Sequence, residues 1–420
     1  MKSLFFLKNV FLFALFLRIM TALFFGDRVL DHEFDVLTRN IIIHSSYSYW
    51  NINELGLLSN NFSPNPQLLI PSAYMPVLYP LFLTTISYIF GFNELSVLIV
   101  LIIQAFLGAY SCVIIQKIYN IKFQSDNLNL SAIVLSLFPL HIFMSSQISA
   151  SNLYIYLFIL VIYFYNKILY SYGAKPIDFI LMGITLGLLV ISRSDTILLL
   201  LIIASLFLFF HKVNIKHCIL FLLVASIFIA PISLRNKHHF GFYYPLTIVN
   251  GLALWCGNNI DATGSRYNYI EPETPIPESI ISQINSIKIN KMYEKNRDDI
   301  FSREARNFMS ENPLRVLQLS IKKFIFFWIH IYDKTIKYPG NNNILNWAPW
   351  ITLLVFFLPS LKYLFSKINK NDFEILCLAY FSLVYSVFFV LPRYRLIILP
   401  IIILFSVYWA KKKFKILRTN

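Results

Sequence analysis

Apolar runs close to the length of a bilayer crossing recur along this chain, and that recurrence narrows its fold more than any other feature. They fall at about 4–25, 95–117, 128–145, 150–168, 177–193, 195–211, 216–234, 346–363, 373–391 and 395–410. A continuous apolar helix survives in lipid because every backbone N–H and C=O is bonded within it. A β-barrel would show short alternating segments instead. Hydrophobic residues make up 57% of the 420, and the mean hydropathy is +0.62, unlike a soluble domain. The chain therefore reads as an all-α polytopic membrane protein, with residues 1–420 forming a single transmembrane domain. The first run is longer than a signal-peptide core and shows no small-x-small cleavage site, so it reads as a retained helix.

The net charge of +15 would suggest nucleic acid in a soluble chain, but its distribution argues for a membrane. Acids and bases nearly balance between Asn236 and Asn312. The excess lies in short loops: Lys117/Lys122, Lys167/Lys175, Lys212/Lys216, Lys362/Lys367/Lys370 and the tail Lys411-Lys412-Lys413. That is the positive-inside pattern, and no nucleic-acid partner is expected. Cys112, Cys218, Cys256 and Cys377 are scattered and suggest neither a disulfide framework nor a zinc site. With no Walker loop and no dinucleotide fingerprint, ATP-driven chemistry at the cytoplasmic face is not indicated.

If the basic loops face the cytoplasm, the runs alternate across the cell (inner, cytoplasmic) membrane with both termini cytoplasmic. Two apolar segments, about 76–91 and 318–332, do not fit this alternation. They are expected to be interfacial or partly inserted helices, giving about ten crossings, or twelve if both span. A first outer loop (about 26–75) and a large outer loop (about 235–317) result. The outer face then receives Asp27–Asn40, Pro71–Tyr79, Ser145–Asn152, Arg193–Asp195, Arg235–Gly264 and Arg393-Tyr394-Arg395. Scattered structural polar residues would divide between the faces, so a single outward-facing site is expected.

Each cluster has its own chemistry. Asp27, Asp31, Glu33 and Asp35 are costly beside a membrane unless solvated or used. A carboxylate here could deprotonate an acceptor hydroxyl or amine, or hold a divalent cation; a solvated acidic loop is the alternative. Tyr74-Met75-Pro76-Val77-Leu78-Tyr79-Pro80 suits a helix start at an interface, or a wall that stacks on a sugar. Arg193, Arg235, Arg393 and Arg395 sit at span ends, where guanidinium pairs with phosphate or simply snorkels. Arg235-Asn236 leads to Gly257-Asn258-Asn259 and Ala262-Thr263-Gly264, backbone with little bulk that suits an anionic lipid head group or an ordinary turn. His141, His238 and His239 form no HxxxH or HExxH pattern and read as structural.

In these residues the chain resembles the GT-C glycosyltransferases that use polyprenyl-phosphate sugars, among them protein O-mannosyltransferases and the aminoarabinose transferases of lipid A. The similarity runs in order over most of the chain. It takes in Asp31 and Glu33, then Tyr74, Pro76, Tyr79 and Pro80, then Phe90-Gly91, Phe138-Pro139 and Arg193. Arg235-Asn236, Phe240-Gly241, Gly257-Asn258-Asn259 and Ala262-Thr263-Gly264 follow, then Asn312-Pro313 before Lys323, and Arg393-Tyr394-Arg395 with Pro400.

The resemblance implies a GT-C-like fold of about 10–12 transmembrane helices with a large outer loop. It implies inverting transfer of a sugar from a polyprenyl-phosphate donor to a lipid, glycan or protein acceptor at the outer face. Asp31 is then the base, with Glu33 second and Asp27 and Asp35 still open. Arg193, Arg235, Arg393 and Arg395 would neutralise the leaving phosphate, and Tyr74, Asn236, Asn258 and Asn259 would line the substrate pocket. Besides membrane lipids, no cofactor is implied; a divalent cation stays open. The chain departs from the family at Ser151-Asn152, where many relatives carry an acid, at Phe34, whose spacing fits loosely, and in lacking a sizeable C-terminal soluble domain. An outer-face glycan polymerase or ligase is the alternative activity. A lipid or sugar transporter would show midplane polar residues and inverted repeats, and no internal repeat is visible.

Overall fold

A computed structural model describes residues 2–124, 129–171, 174–244, 246–264, 276–329, 344–367 and 372–414. Residues 265–275 of the large loop, and the end of the 318–332 run, lie outside them. The first apolar run forms α1 (Lys2–Phe25). The acidic segment after it becomes helix α2 (His32–His44), because Asp31 accepts the His32 N–H as its cap and Glu33 and Asp35 fall in the first turn, where carboxylates suit the helix dipole.

The rest of this loop is a small antiparallel sheet of β1 (Ser48–Ile52), β2 (Leu58–Ser59) and β3 (Leu68–Pro71), in the order β2-β1-β3. Trp50 pairs with Ile70 and Ile52 with both Leu58 and Leu68. An all-α reading of the sequence contains no such element. Next, α3 (Leu78–Phe90) ends at Gly91; its 13 residues reach about 20 Å, short of a bilayer core.

The long helix α4 (Glu94–Phe123) is capped by Asn93, whose side chain accepts from Ser96 N–H. The run expected over 128–145 is broken at Pro139 into α5 (Leu130–Leu137) and α6 (Pro139–Phe143), followed by a 3-10 turn at Met144–Ser146. Proline lacks the N–H that would continue the ladder. Then come α7 (Ser151–Tyr170), α8 (Pro176–Ser192) and α9 (Leu198–Ser205), the last running into a π-helical turn. Helix α10 (Ile215–Phe240) carries Pro231 inside it and stops at Gly241, φ 78°.

The large loop holds α11 (Asn250–Gly257), α12 (Glu278–Asn285), α13 (Tyr293–Glu311) and the start of α14 (Pro313–Ile329). Finally α15 (Ile344–Lys367) and α16 (Phe373–Val387) lead through a 3-10 turn at Pro392–Ile397 to α17 (Leu399–Phe414). Among the described residues, Phe6–Phe25, α4, α7 and α10 are long and apolar enough to cross a membrane, and five further apolar helices are 10–17 residues long.

The main core joins α4, α7, α8, α16 and α17 through fully buried Ile115, Phe158, Leu186, Phe381 and Ile402. On α10, by contrast, Ile219, Leu223 and Ile227 remain 49%, 61% and 66% exposed. Four-residue spacing puts them on one helix face, an apolar stripe suited to lipid rather than water. Inside the bundle, Arg18 of α1 is wholly buried; its guanidinium reaches His141 Nδ1 at 2.7 Å and donates to Leu135 O at 3.4 Å.

Candidate functional site

The four acids of the first long loop have different surroundings. Asp27 Oδ2 accepts the Ile148 N–H at 2.6 Å, and its own N–H donates to Ser146 O at 3.0 Å, so it fastens the loop to the turn after α6. Asp35 is paired with Arg39 one helical turn on, at 2.8 Å. Glu33 accepts from the Tyr74 hydroxyl at 3.2 Å. Tyr74 stacks on Tyr49, with ring centres 5.3 Å apart and planes 8° from parallel. Asp31 gives one oxygen to the α2 cap at 3.0 Å and is otherwise exposed.

Beneath the sheet, Arg235 donates to Ser72 O at 2.8 Å and Tyr47 O at 3.0 Å, and also to Asn236 Oδ1 at 3.0 Å. Asn236 itself bonds Leu246 O at 2.8 Å. From the other side, Glu294 at the start of α13 accepts Ser72 Oγ–H at 2.7 Å and Ala73 N–H at 2.6 Å. The end of β3 is thus clamped between α10 and α13. Burial pushes the Glu294 carboxyl up to about 7, even though the Ser72 and Ala73 donors and the nearby Arg297 and Arg235 favour its charged form. The two residues predicted for substrate, Arg235 and Asn236, therefore hold backbone carbonyls in this structure.

Arg193 stands just past α8. Its Nε donates to both oxygens of Asp195 at 2.8 and 3.0 Å, and its Nη2 reaches the Tyr385 hydroxyl. The rings of Tyr154 and Tyr394 lie 4.4 and 5.3 Å from the guanidinium carbon. Tyr385 also donates to Asp195 at 2.5 Å. Three aromatic rings and one carboxylate hold this cation in a fixed orientation.

The Gly257-Asn258-Asn259 run has a physical reason at every position. A Cβ on Gly257 would lie 2.5 Å from Phe388 O, so only glycine permits this close approach to the end of α16. Asn258 Nδ2 donates to Val387 O at 2.9 Å, and its Oδ1 accepts from Lys323 Nζ at 3.1 Å. Lys323 Nζ donates as well to Val387 O at 2.8 Å and Gly257 O at 3.2 Å. Asn259 closes the turn by bonding Trp255 O and accepting from Asp261 N–H. Lys323 is wholly buried, and its partners among the described residues are all neutral oxygens. A buried ammonium lacking a counter-charge is costly, which marks it as a place where an anion would be welcome.

The two arginines flanking Tyr394 part company. Arg393 is exposed, whereas Arg395 is 2% exposed with its guanidinium 4.8 Å from the centre of the Trp350 ring. Two groups of residues result, and Tyr74 joins them. One holds Asp31, Glu33, Arg235 and Asn236; the other gathers Arg193, Asn258, Lys323 and Tyr394 around the end of α16. Tyr74 packs on the cluster of Leu252 and Trp255, which Phe389 also touches. Sequence reasoning gave no role to Glu294, Asp195 or Tyr385, and met Lys323 only as a mark of resemblance. A lysine inside an apolar helix was the available signal for Lys323; nothing in the sequence pointed to Glu294. Among the described residues no group of three or more His, Cys, Asp or Glu side chains could hold a metal ion.

No protein-family model and no curated protein matches this chain in sequence. Solved structures do match its fold. The archaeal oligosaccharyltransferase AglB from Archaeoglobus fulgidus, in complex with an inhibitory peptide and a dolichol-phosphate, superposes with a TM-score of 0.56 at 11% identity over 98% of this chain and 50% of that one. The Archaeoglobus fulgidus oligosaccharyltransferase tethered to an acceptor peptide gives the same values. This chain spans about half the length of that transferase. ArnT from Cupriavidus metallidurans in the apo state aligns with a TM-score of 0.42 at 10% identity over 97% of this chain and 78% of that one. The chain thus shares the overall fold of that oligosaccharyltransferase over the half it spans.

Proposed function

We propose that the protein is an integral-membrane glycosyltransferase that moves a sugar from a polyprenyl-phosphate donor to a lipid, glycan or protein acceptor at the outer face of the cytoplasmic membrane. The observation that carries this reading is the meeting of Arg193, Asn258 and Lys323 at the end of α16, linked through Tyr74 to the acidic first loop. The fold supports it, since the oligosaccharyltransferase that shares this fold was solved with dolichol-phosphate bound.

In the reaction, an acceptor hydroxyl or amine attacks the anomeric carbon from the face opposite the phosphate. The carbon–oxygen bond to phosphate breaks, and the electron pair leaves with the polyprenyl phosphate, inverting the centre. Asp31, the most open of the first-loop acids, takes the acceptor proton, with Glu33 behind it. Arg193, held by Asp195 and Tyr385, stabilises the departing phosphate together with Lys323 and exposed Arg393, cations fixed in advance where negative charge develops. Tyr74 and Asn258 shape the pocket between them. Arg235, Asn236 and Asn259 act as positioning residues, because their partners are carbonyls and a backbone turn, and buried Arg395, with its guanidinium over the Trp350 ring, is grouped with them.

The test uses membranes stripped of native lipid-linked sugars, a defined polyprenyl-phosphate sugar and measurement of released polyprenyl phosphate. Release that requires both acceptor and Asp31 is expected. Full turnover by a folded Asp31→Asn variant would remove Asp31 as the base. Reporter fusions that place Gly264 in the cytoplasm would remove the shared outer site.

A further inference from the structure

Away from these residues, α5, α15 and α17 leave a cavity of about 910 Å³ between them. Leu130, Val134, Phe356, Val407, Ala410 and Phe414 line it. The two hydroxyls on its wall are already used: Thr352 donates to Ala348 O at 2.9 Å and Ser406 to Leu353 O at 3.3 Å. With both hydroxyl donors spent inside the helices, such a wall offers water few bonding partners, and hydrocarbon is its natural occupant. From Val407 to Phe414 the slot runs about 10 Å along α17, within the depth of one leaflet.

One end of the slot is charged. Phe414 and Ala410 on its wall flank Lys411, Lys412 and Lys413 in the last turn of α17. Lys122, in the last turn of α4, is engaged by Asp372 and Glu374 at 2.8 and 2.9 Å. We propose that the slot binds one acyl chain of an anionic glycerophospholipid, with the lipid phosphate against the Lys411–Lys413 turn. Charge complementarity selects this occupant: a basic turn at the mouth of an interhelical apolar slot attracts an acidic head group. The location also separates it from the transfer site. Lys411 lies twelve residues beyond Leu399, where α17 starts just after the Arg395 turn, about 18 Å along the helix, so the head group sits at the opposite end of α17 from the turn that holds Tyr394 against Arg193. The lipid would wedge α15 and α17 against α5, adding to the Ser406–Leu353 bond that already ties α17 to α15.

Native mass spectrometry of the purified full chain tests this, after incubation with equimolar dioleoylphosphatidylglycerol and dioleoylphosphatidylcholine. One phosphatidylglycerol per chain is expected, preferred over phosphatidylcholine by about tenfold or more. Val407→Trp fills the slot and should abolish retention. Val134→Phe fills it from the opposite wall and serves if the first variant fails to fold by gel filtration. Replacing Lys411, Lys412 and Lys413 together by Gln should remove the head-group preference. Equal retention of the two lipids by the unmodified chain overturns the proposal, as does unchanged retention in both filled variants. Displacement of phosphatidylglycerol by equimolar undecaprenyl phosphate would overturn it too, giving the slot to the donor's tail.

Discussion

The Tyr74 hydroxyl donates to Glu33 Oε1 at 3.2 Å, across 41 residues of chain. This gives one of the two proposed bases a fixed neutral donor, whereas Asp31 remains exposed beside it. Tyr74→Phe therefore distinguishes the two. With Asp31 as base, Tyr74→Phe should keep kcat within about threefold and Asp31→Asn should lower it by about a thousandfold, the usual scale of a lost general base. A Tyr74→Phe loss as deep as that of Asp31→Asn would move the base to Glu33.

Lys323 is open to a similar division. Lys323→Gln keeps a donor for Val387 O and Asn258 Oδ1 but removes the charge. If the cation serves the leaving phosphate, kcat should fall by about 10- to 100-fold with little change in the thermal midpoint in detergent. Normal turnover with a lowered midpoint would assign Lys323 to structure alone.

Gly257 and Gly241 should fail for different reasons. Gly257→Ala brings a Cβ to 2.5 Å from Phe388 O, a backbone atom that cannot step aside; a cost of about 1–3 kcal/mol is expected. Gly241→Ala meets open space but must hold φ 78°, which costs about 1 kcal/mol. Thermal unfolding should rank wild type first, Gly241→Ala second and Gly257→Ala last, with transfer activity lost mainly in the last.

Glu294 predicts a pH dependence. Its native carboxyl titrates at about 7, raised from 4.5 by burial, so the folded protein binds that proton more tightly than the unfolded chain. The associated stability is fully present below pH 4.5 and disappears as pH rises to 7, a loss of about 3 kcal/mol. Arg235 and Arg297 face the same carboxyl and moderate the effect. Glu294→Gln retains an acceptor for Ala73 N–H and should flatten the midpoint between pH 5 and pH 8. An equally steep decline in that variant would exclude Glu294 as the source.

The spans were legible because hydrophobic runs declare themselves without tertiary information: α1 and α7 fall within two residues of their expected limits, whereas α4 and α10 start where expected and each run six residues past the apolar run. Phe138-Pro139 was read as a mark of resemblance, but the helix break it causes was not. The sheet at Ser48–Pro71 was missed because β1 is five residues long and its partners are contributed by β2 and β3, a pairing no local pattern announces. Within the site, residue types at helix ends could be read from the sequence, but their partners could not. Arg193 and Arg235 look alike as sequence; one sits among tyrosine rings and the other bonds backbone carbonyls. Only the arrival of distant segments, Tyr385 in one case and β3 in the other, separates them.

The clamp on β3 also sets an order of events during synthesis. Ser72 and Ala73 wait for Glu294, which is 222 residues further along from Ser72. At ordinary translation speeds that gap is about 10–40 s, during which the first loop has its own sheet but no seat. A stop or a slow membrane insertion step between α3 and α13 would therefore leave Asp31 made, yet without the frame that aims it.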